Sequence, residues 1–372
     1  MTSREPDLAS VHTPQPVTDP TRPALSPTPP APLRAGRGGL RPFAGALRPA
    51  LVAVALALGV AGCDHGTDFD GPRLTDRFGD FSLLDPLQAS RQSVDFAAGE
   101  AVTFTARFNK QTDWVLEIVG EQSGAVKRIE GFSNELTEQN ATWRGGTTDL
   151  PFFKGEPVTA SLFFPDEAGS DTTRADIAVL SPRTYPGNVL AAFEGDDNFD
   201  VGNFEFELEG AGISAEVPPA QGNGFYLFRG TDDVVTNFFV GLIDVLPTDG
   251  RSYAEVPTTV PEDLYLNFFI RGFDTPNVIA VIQVIADGNG SGAFEDGQDT
   301  VFPFGDIVVD FEGWRAFAKP LSELGLTQRQ AGEIVAVRVL LISDNNSQPD
   351  PPLPVDFGID YITFTGGGPL EL

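Results

Sequence analysis

The segment Asp287-Gly288-Asn289-Gly290-Ser291-Gly292-Ala293-Phe294-Glu295-Asp296-Gly297-Gln298 carries the sharpest local chemistry in the chain. Oxygen side chains at its first, third and fifth positions (Asp287, Asn289 and Ser291), with Gly292 sixth, match the front half of a calcium-binding loop. Calcium takes roughly six to eight hard oxygen ligands, and short polar side chains around a glycine turn supply them. The twelfth position departs from the pattern. Gln298 stands where a bidentate Glu is needed, which leaves Asp296 or Asp299 to close the shell. The competing reading is an acidic, glycine-rich hairpin turn in a chain that holds 53 Asp and Glu.

A second candidate rests on alternation. In residues 264–271, Leu264, Leu266, Phe268 and Ile270 share one face of a strand, and Tyr265, Asn267, Phe269 and Arg271 share the other. The first set suits a core. The second mixes aromatic and hydrogen-bonding groups, as a sugar-binding sheet does: rings stack on C–H faces while amide and guanidinium groups meet hydroxyls. Tyr265, Asn267 and Arg271 are therefore candidate ligand-binding residues. The alternative is a second buried face, covered by a loop or by another domain, with Arg271 paired to an acid. Arg338, in the apolar run 335–342, poses the same choice between pairing in the core and exposure on a binding face.

Composition removes most other chemistry. Cys63 is the only cysteine, and His12 and His65 are the only histidines. Disulfides, cysteine-based zinc sites, haem attachment and cysteine nucleophiles are excluded, and a Ser-His-Asp triad has no histidine in the folded part. Carboxylate pairs are too numerous to single out the two acids of a glycosidase. No phosphate-cradling glycine loop precedes a helix. The expectation is a protein without catalytic residues.

The formal net charge is −29. Six Arg and three acids precede Cys63, which leaves 18 basic and 50 acidic residues after it, a formal −32. A phosphate backbone would be repelled, so nucleic acid is not expected as a partner. Lysine occurs only at 110, 127, 154 and 319. Acid-rich, lysine-poor surfaces stay soluble in salt, which points to a saline environment; a codon preference that replaces Lys by Arg accounts for the same numbers.

Residues 1–33 are Pro/Ser/Thr-rich, with nine prolines from Pro6 to Pro32, and are expected to be disordered. Arg34, Arg37, Arg41 and Arg48 lead into 13 uncharged apolar residues, 50–62, ending at Cys63. That run is short for a bilayer span and has signal-peptide proportions, so 34–62 is read as a signal peptide. Val60-Ala61-Gly62-Cys63 resembles the lipobox of bacterial lipoproteins. The resemblance implies acylation of Cys63 and a lipid-anchored location in the cell envelope, with the outer membrane or cell surface favoured. Residues 63–73 form an acidic tether.

From Leu74 the chain is all-β in pattern. Short alternating runs at 94–96, 101–108, 114–119, 158–164 and 177–180, each bounded by turn residues, predict a first β-sandwich over 74–182 that resembles bacterial Ig-like modules. A break at 181–188, with two prolines and a glycine, reads as a linker. Strands are then expected at 189–193, 204–208, 225–228, 237–246, 264–271, 278–285, 307–310, 334–343 and 357–364. A short helix is expected within 321–331, where Thr327 and Gln330 have capping-box spacing. Nine strands with long loops suit a jelly roll over 189–366.

Four segments of that second unit carry a family resemblance: Leu190-Ala191-Ala192-Phe193-Glu194-Gly195; the strand 264–272; Phe311-Glu312-Gly313-Trp314-Arg315-Ala316-Phe317-Ala318-Lys319-Pro320-Leu321-Ser322-Glu323-Leu324; and Val355-Asp356-Phe357-Gly358-Ile359-Asp360-Tyr361-Ile362-Thr363-Phe364. In this order they resemble galactose-binding-like β-sandwich domains, and in pattern the family 11 carbohydrate-binding modules. The resemblance implies a glycan partner and a structural calcium between the first and last strands, with ligands matching Glu194 and Asp360; Asp196 and Asp197 lie in the next loop. The functional expectation is non-catalytic, calcium-stabilised carbohydrate binding by a lipid-anchored envelope protein. The alternative is a structural or assembly lipoprotein whose sandwiches contact another envelope protein.

Overall fold

The computed structural model describes residues 79–167, 172–202, 211–230, 238–248, 250–275, 277–344 and 355–372. The expectations for 1–78, Cys63 included, and for a strand at 204–208 lie outside the described residues. Two β-sandwiches follow one another within one compact unit, Asp70–Leu372. Among the described residues no helix is long and apolar enough to cross a membrane.

Among the described residues the first sandwich has seven strands: β1 (Leu83–Ala89), β2 (Ser93–Asp95), β3 (Val102–Gly120), β4 (Val126–Leu136), β5 (Thr142–Trp143), β6 (Pro157–Phe163) and β7 (Thr173–Ser181). They join in the order β1-β3-β6-β7-β2, with β4 and β5 also on β3. The predicted strands at 101–108 and 114–119 are one 19-residue strand. Phe104, Phe108, Trp114, Leu116 and Ile118 all fall on even positions and all point into the core, so the alternation keeps its phase through the polar stretch between them. β4 buries only Leu136. An exposed partner strand of this kind gives no hydrophobic signal, and the sequence reading missed it.

The second sandwich is a jelly roll. Its strands are β8 (Asn188–Ala191), β9 (Phe199–Gly202), β10 (Gly212–Ser214), β11 (Phe225–Arg229), β12 (Phe238–Val245), β13 (Leu264–Phe273), β14 (Val278–Ala286), β15 (Thr300–Val308), β16 (Glu312–Pro320), β17 (Ile334–Ser343) and β18 (Asp356–Gly366). A six-stranded sheet runs β10-β11-β18-β13-β16, with β8 also on β18. A five-stranded sheet runs β15-β14-β17-β12-β9. Between them lies a core that includes Leu266, Phe268 and Ile270 of β13, Ile282 and Val284 of β14, and Val337 and Val339 of β17. The helix expected within 321–331 is two single turns, α1 (Leu321–Leu324) and α2 (Gln328–Ala331). Gly325 in the left-handed region ends the first, and the Thr327–Gln330 capping box starts the second.

The sandwiches meet on a small apolar cluster. Phe152, from the segment between β5 and β6, packs edge-on against Phe269 of β13 at 5.3 Å and stacks on Tyr185 at 4.1 Å. Tyr361, Leu370 and Leu372 complete the contact. The Pro/Gly-containing run at 182–187 thus lines a packed junction.

Candidate functional site

The outer face of the five-stranded sheet carries a polar row in an apolar setting. Arg338 on β17 lies opposite Asp244 on β12 and Gln283 on β14. Its Nε donates to Asp244 Oδ1 at 2.6 Å, and its Nη2 donates to Asp244 Oδ2 at 3.0 Å and to Asp296 Oδ1 at 2.8 Å. These bonds, first that to Asp244, hold the guanidinium pKa above its ordinary value. Phe294 stacks over the same guanidinium at 5.6 Å. One register step along lie Leu242 and Leu340, and beyond them the exposed Phe239. Phe239, Leu242, Asp244, Gln283, Asp296, Arg338 and Leu340 line a concavity of about 420 Å³. A charge fixed by two carboxylates beside an apolar floor is a pre-organised surface for a ligand that has both hydroxyls and C–H faces.

The loop 287–299 between β14 and β15 builds one wall of this site. Asp287 Oδ2 accepts from Gly292 N at 2.8 Å and from the Tyr253 hydroxyl at 3.0 Å, and its Oδ1 accepts from the amides of Gly290 and Asn289. These donors, the Gly292 amide foremost, hold its pKa down at about 2. Asn289 Oδ1 accepts from Ser291 N, and the Asp299 oxygens accept from Gly288 N and Glu295 N. The structure therefore brings Asp287, Asn289, Ser291 and Asp299 into one loop, where Asp287, Asn289 and Asp299 accept the loop's own amides and Ser291 Oγ donates to Ala293 O. The visible result of this folding is the placement of Phe294 and Asp296 over Arg338.

Glu194 is close enough to Asp360 for its charge to act on the Asp360 carboxyl. Burial, reinforced by Glu194, pushes the Asp360 carboxyl well above its usual range. Asp360 Oδ2 accepts from Gln221 N at 2.9 Å, while its Oδ1 and Gln221 Oε1 are buried with no hydrogen-bond partner. Glu194 accepts from the backbone and side-chain amides of Asn223. Both acids adjoin residues in the left-handed region, Phe193 at φ 55° and Tyr361 at φ 51°. At Tyr361 the inward phase of β18 slips by one residue, from Phe357 and Ile359 to Ile362 and Phe364. That bulge sets Asp360 and Tyr361 side by side off the core face. Unpartnered oxygens and local strain at one place suit a cation. Among the described residues, however, no group of three or more His, Cys, Asp or Glu is arranged around a common point.

The other expected ligand residues lie on the outward face of the six-stranded sheet. Asn267 is buried: its Nδ2 donates to Thr365 Oγ1 at 2.9 Å, and its Oδ1 accepts from Leu370 N at 2.8 Å. Its hydrogen bonds are spent inside the protein. Phe269 is under Phe152. Tyr265 pairs with Pro320 and Thr365 at the far end of the strand. Arg271 has its guanidinium 5.4 Å from the Phe273 ring and its Nε buried without a partner. Burial lowers its pKa. The sequence reading flagged Arg338 and missed Asp244, Gln283, Phe239 and Phe294. The one usable signal was alternation: Asp244 sits in an apolar strand just as Arg338 does.

No protein-family model matches the chain, and no curated protein matches it. Similar solved structures include a family 11 carbohydrate-binding module of Clostridium thermocellum, in complex with a β-1,3-1,4-mixed-linked tetrasaccharide. It has 16% identity and a TM-score of 0.29, and the match covers 48% of this chain and 95% of that one. A family 30 module of a cellulosomal cellulase of the same organism has 13% identity and a TM-score of 0.33, covering 49% and 98%. SGBP-B, from a complex xyloglucan utilization locus in Bacteroides uniformis, has 13% identity and a TM-score of 0.34, covering 76% and 73%. The site geometry above stands without these likenesses.

Proposed function

We propose that this chain is a non-catalytic carbohydrate-binding protein and that its glycan lies on the outer face of the five-stranded sheet. The observation that carries this reading is the Asp244–Arg338–Gln283 row, in which Asp244 and Asp296 hold Arg338, lining a cleft beside Leu242, Leu340 and the exposed Phe239. Sugar hydroxyls would meet the row, and sugar C–H faces would meet the apolar floor. Electrophoresis through gels containing soluble β-glucans tests it: the protein is retarded, and Phe239→Ala abolishes the retardation. Equal mobility with and without every polysaccharide tried would reject it.

Two further parts of the reading concern support and place. A calcium ion would be held by Glu194 and Asp360, where its charge would offset the cost of burying Asp360. Calorimetry after chelation should show calcium binding that Asp360→Asn removes; no heat with the wild-type chain rejects this. Acylation of Cys63 would tether the folded part to an envelope membrane, and mass spectrometry showing a free thiol in native material rejects that. A second reading, contact with an envelope protein, is favoured by Phe132 at 64% exposure on the outer face of β4, with the exposed Phe163 of β6 on the other side of β3. A fixed partner lost on Phe132→Ser would support it.

A further inference from the structure

The cleft where the two sandwiches meet reverses the charge of the rest of the chain. Phe152, Lys154, Arg183 and Tyr185 form one side, and Gln221 and Tyr361 the other, around about 620 Å³. That is an ordinary size for a small-ligand site, and domain junctions are a common place for one. None of the residues lining the cleft is Asp or Glu, in a chain with 53 of them. The carboxylates nearby are occupied or buried behind the walls. Glu156 accepts from Gln122 N, Ser123 N, Ser123 Oγ and Lys154 N. Asp360 lies beneath Gln221, and Glu194 is bound to Asn223. Among the described residues neither Lys154 nor Arg183 forms an ion pair.

Two polar atoms on lining residues are unexplained by the fold. Tyr185 Oη and Gln221 Oε1 are both buried without a hydrogen-bond partner. Such atoms are rare in folded proteins, and two on one cleft call for a group that completes them. Burial pushes the Tyr185 hydroxyl up to about 12, so it remains a proton donor. Gln221 Oε1 can only accept. An occupant must therefore offer a donor to Gln221 and an acceptor to Tyr185, Lys154 and Arg183. Arg183 also lies 4.9 Å from the Tyr185 ring centre, which fixes its guanidinium at the cleft. A hydroxylated ligand bearing an anionic oxygen group meets these requirements together.

We propose that the junction cleft binds an acidic saccharide, recognised through its carboxylate or sulfate by Lys154, Arg183 and Tyr185 and through a ring hydroxyl by Gln221. This site is separate from the Arg338 face and does not depend on the reading given to that face. Calorimetry of the full chain with trigalacturonate, a sulfated disaccharide and cellotetraose tests it. One acidic probe is expected to bind, which identifies the anionic group, and cellotetraose is expected not to displace it. Lys154→Gln and Tyr185→Phe should each weaken that binding by about tenfold. Tyr185→Phe should leave the free protein at least as heat-stable as the wild type, because it deletes a buried hydroxyl with no partner. No heat from either acidic probe, or unchanged affinity in both variants, overturns the proposal. A protein that binds neutral glucan at the Arg338 face but ignores both acidic probes loses this site alone.

Discussion

On the six-stranded sheet, the outward residues Asn267 and Phe269 lie beneath Phe152 and the C-terminal Leu370. On the five-stranded sheet, the outward residues Asp244, Arg338 and Gln283 open on a cleft. Both rows come from strands with the same alternation and a similar mix of polar and apolar side chains. Distant chain separates them. The first face is covered by a residue from the other sandwich and by the end of the chain, and its amide is consumed there. On the second face, among the described residues, Tyr253 and the 287–299 loop cover one end, and the loop adds a carboxylate and a ring to Arg338. A polar row becomes a candidate site when its partners fix it in place and leave it at the wall of a cleft.

The two faces can be set against each other by substitution. The largest effect is expected at Arg338→Ala, which strands the nearly buried Asp244 without its counter-charge. A loss of about 3–5 kcal/mol is expected in urea denaturation; a loss below about 1 kcal/mol would show that the row is solvated and loosely held. Phe152→Ala should cost about 3 kcal/mol or more through the cavity it leaves. It should also split a single thermal transition into two, because Phe152 joins the sandwiches. One unchanged transition would mean that the junction is held by other contacts.

Asn267→Ala should cost about 1–3 kcal/mol by leaving the Leu370 amide and Thr365 hydroxyl short of a partner. It should leave glycan binding intact. Impaired binding with unchanged stability would move the site to the other sheet.

Asp360 is a buried carboxyl on the six-stranded sheet. Its pKa is raised above the 3.8 of a free carboxyl, so the folded chain keeps a proton that the unfolded chain releases. Without metal, its contribution to stability is complete below about pH 4 and is lost as pH rises through the raised value. In chelator, the wild-type melting temperature should therefore fall over that range more than that of Asp360→Asn. Identical pH profiles would contradict the burial of this charge.

Sequence patterns revealed the strands that bury both faces. Residues 334–343 are nearly all Val, Ile, Leu and Ala, and β17 has those bounds. They did not reveal β4, whose side chains are mostly exposed, or that β3 runs unbroken through Asn109-Lys110-Gln111. The 287–299 loop was legible as a turn of closely spaced oxygens. Whether those oxygens would face a cation or the loop's own amides depends on backbone geometry that spacing does not encode. The Arg338 site was half legible, because the arginine stands out in an apolar run. Its partners come from 94 and 42 residues away, and a one-dimensional pattern does not pair them.

The most direct measurement is a nuclear magnetic resonance titration of the folded chain with a soluble β-glucan oligosaccharide, following the Gln283 side-chain amide, the Arg338 Nε–H and the Asn267 side-chain amide. Saccharide binding on the open sheet predicts that the Gln283 and Arg338 signals move with saturation while Asn267 stays fixed. Saturable shifts at Asn267 with Gln283 and Arg338 unmoved would contradict it.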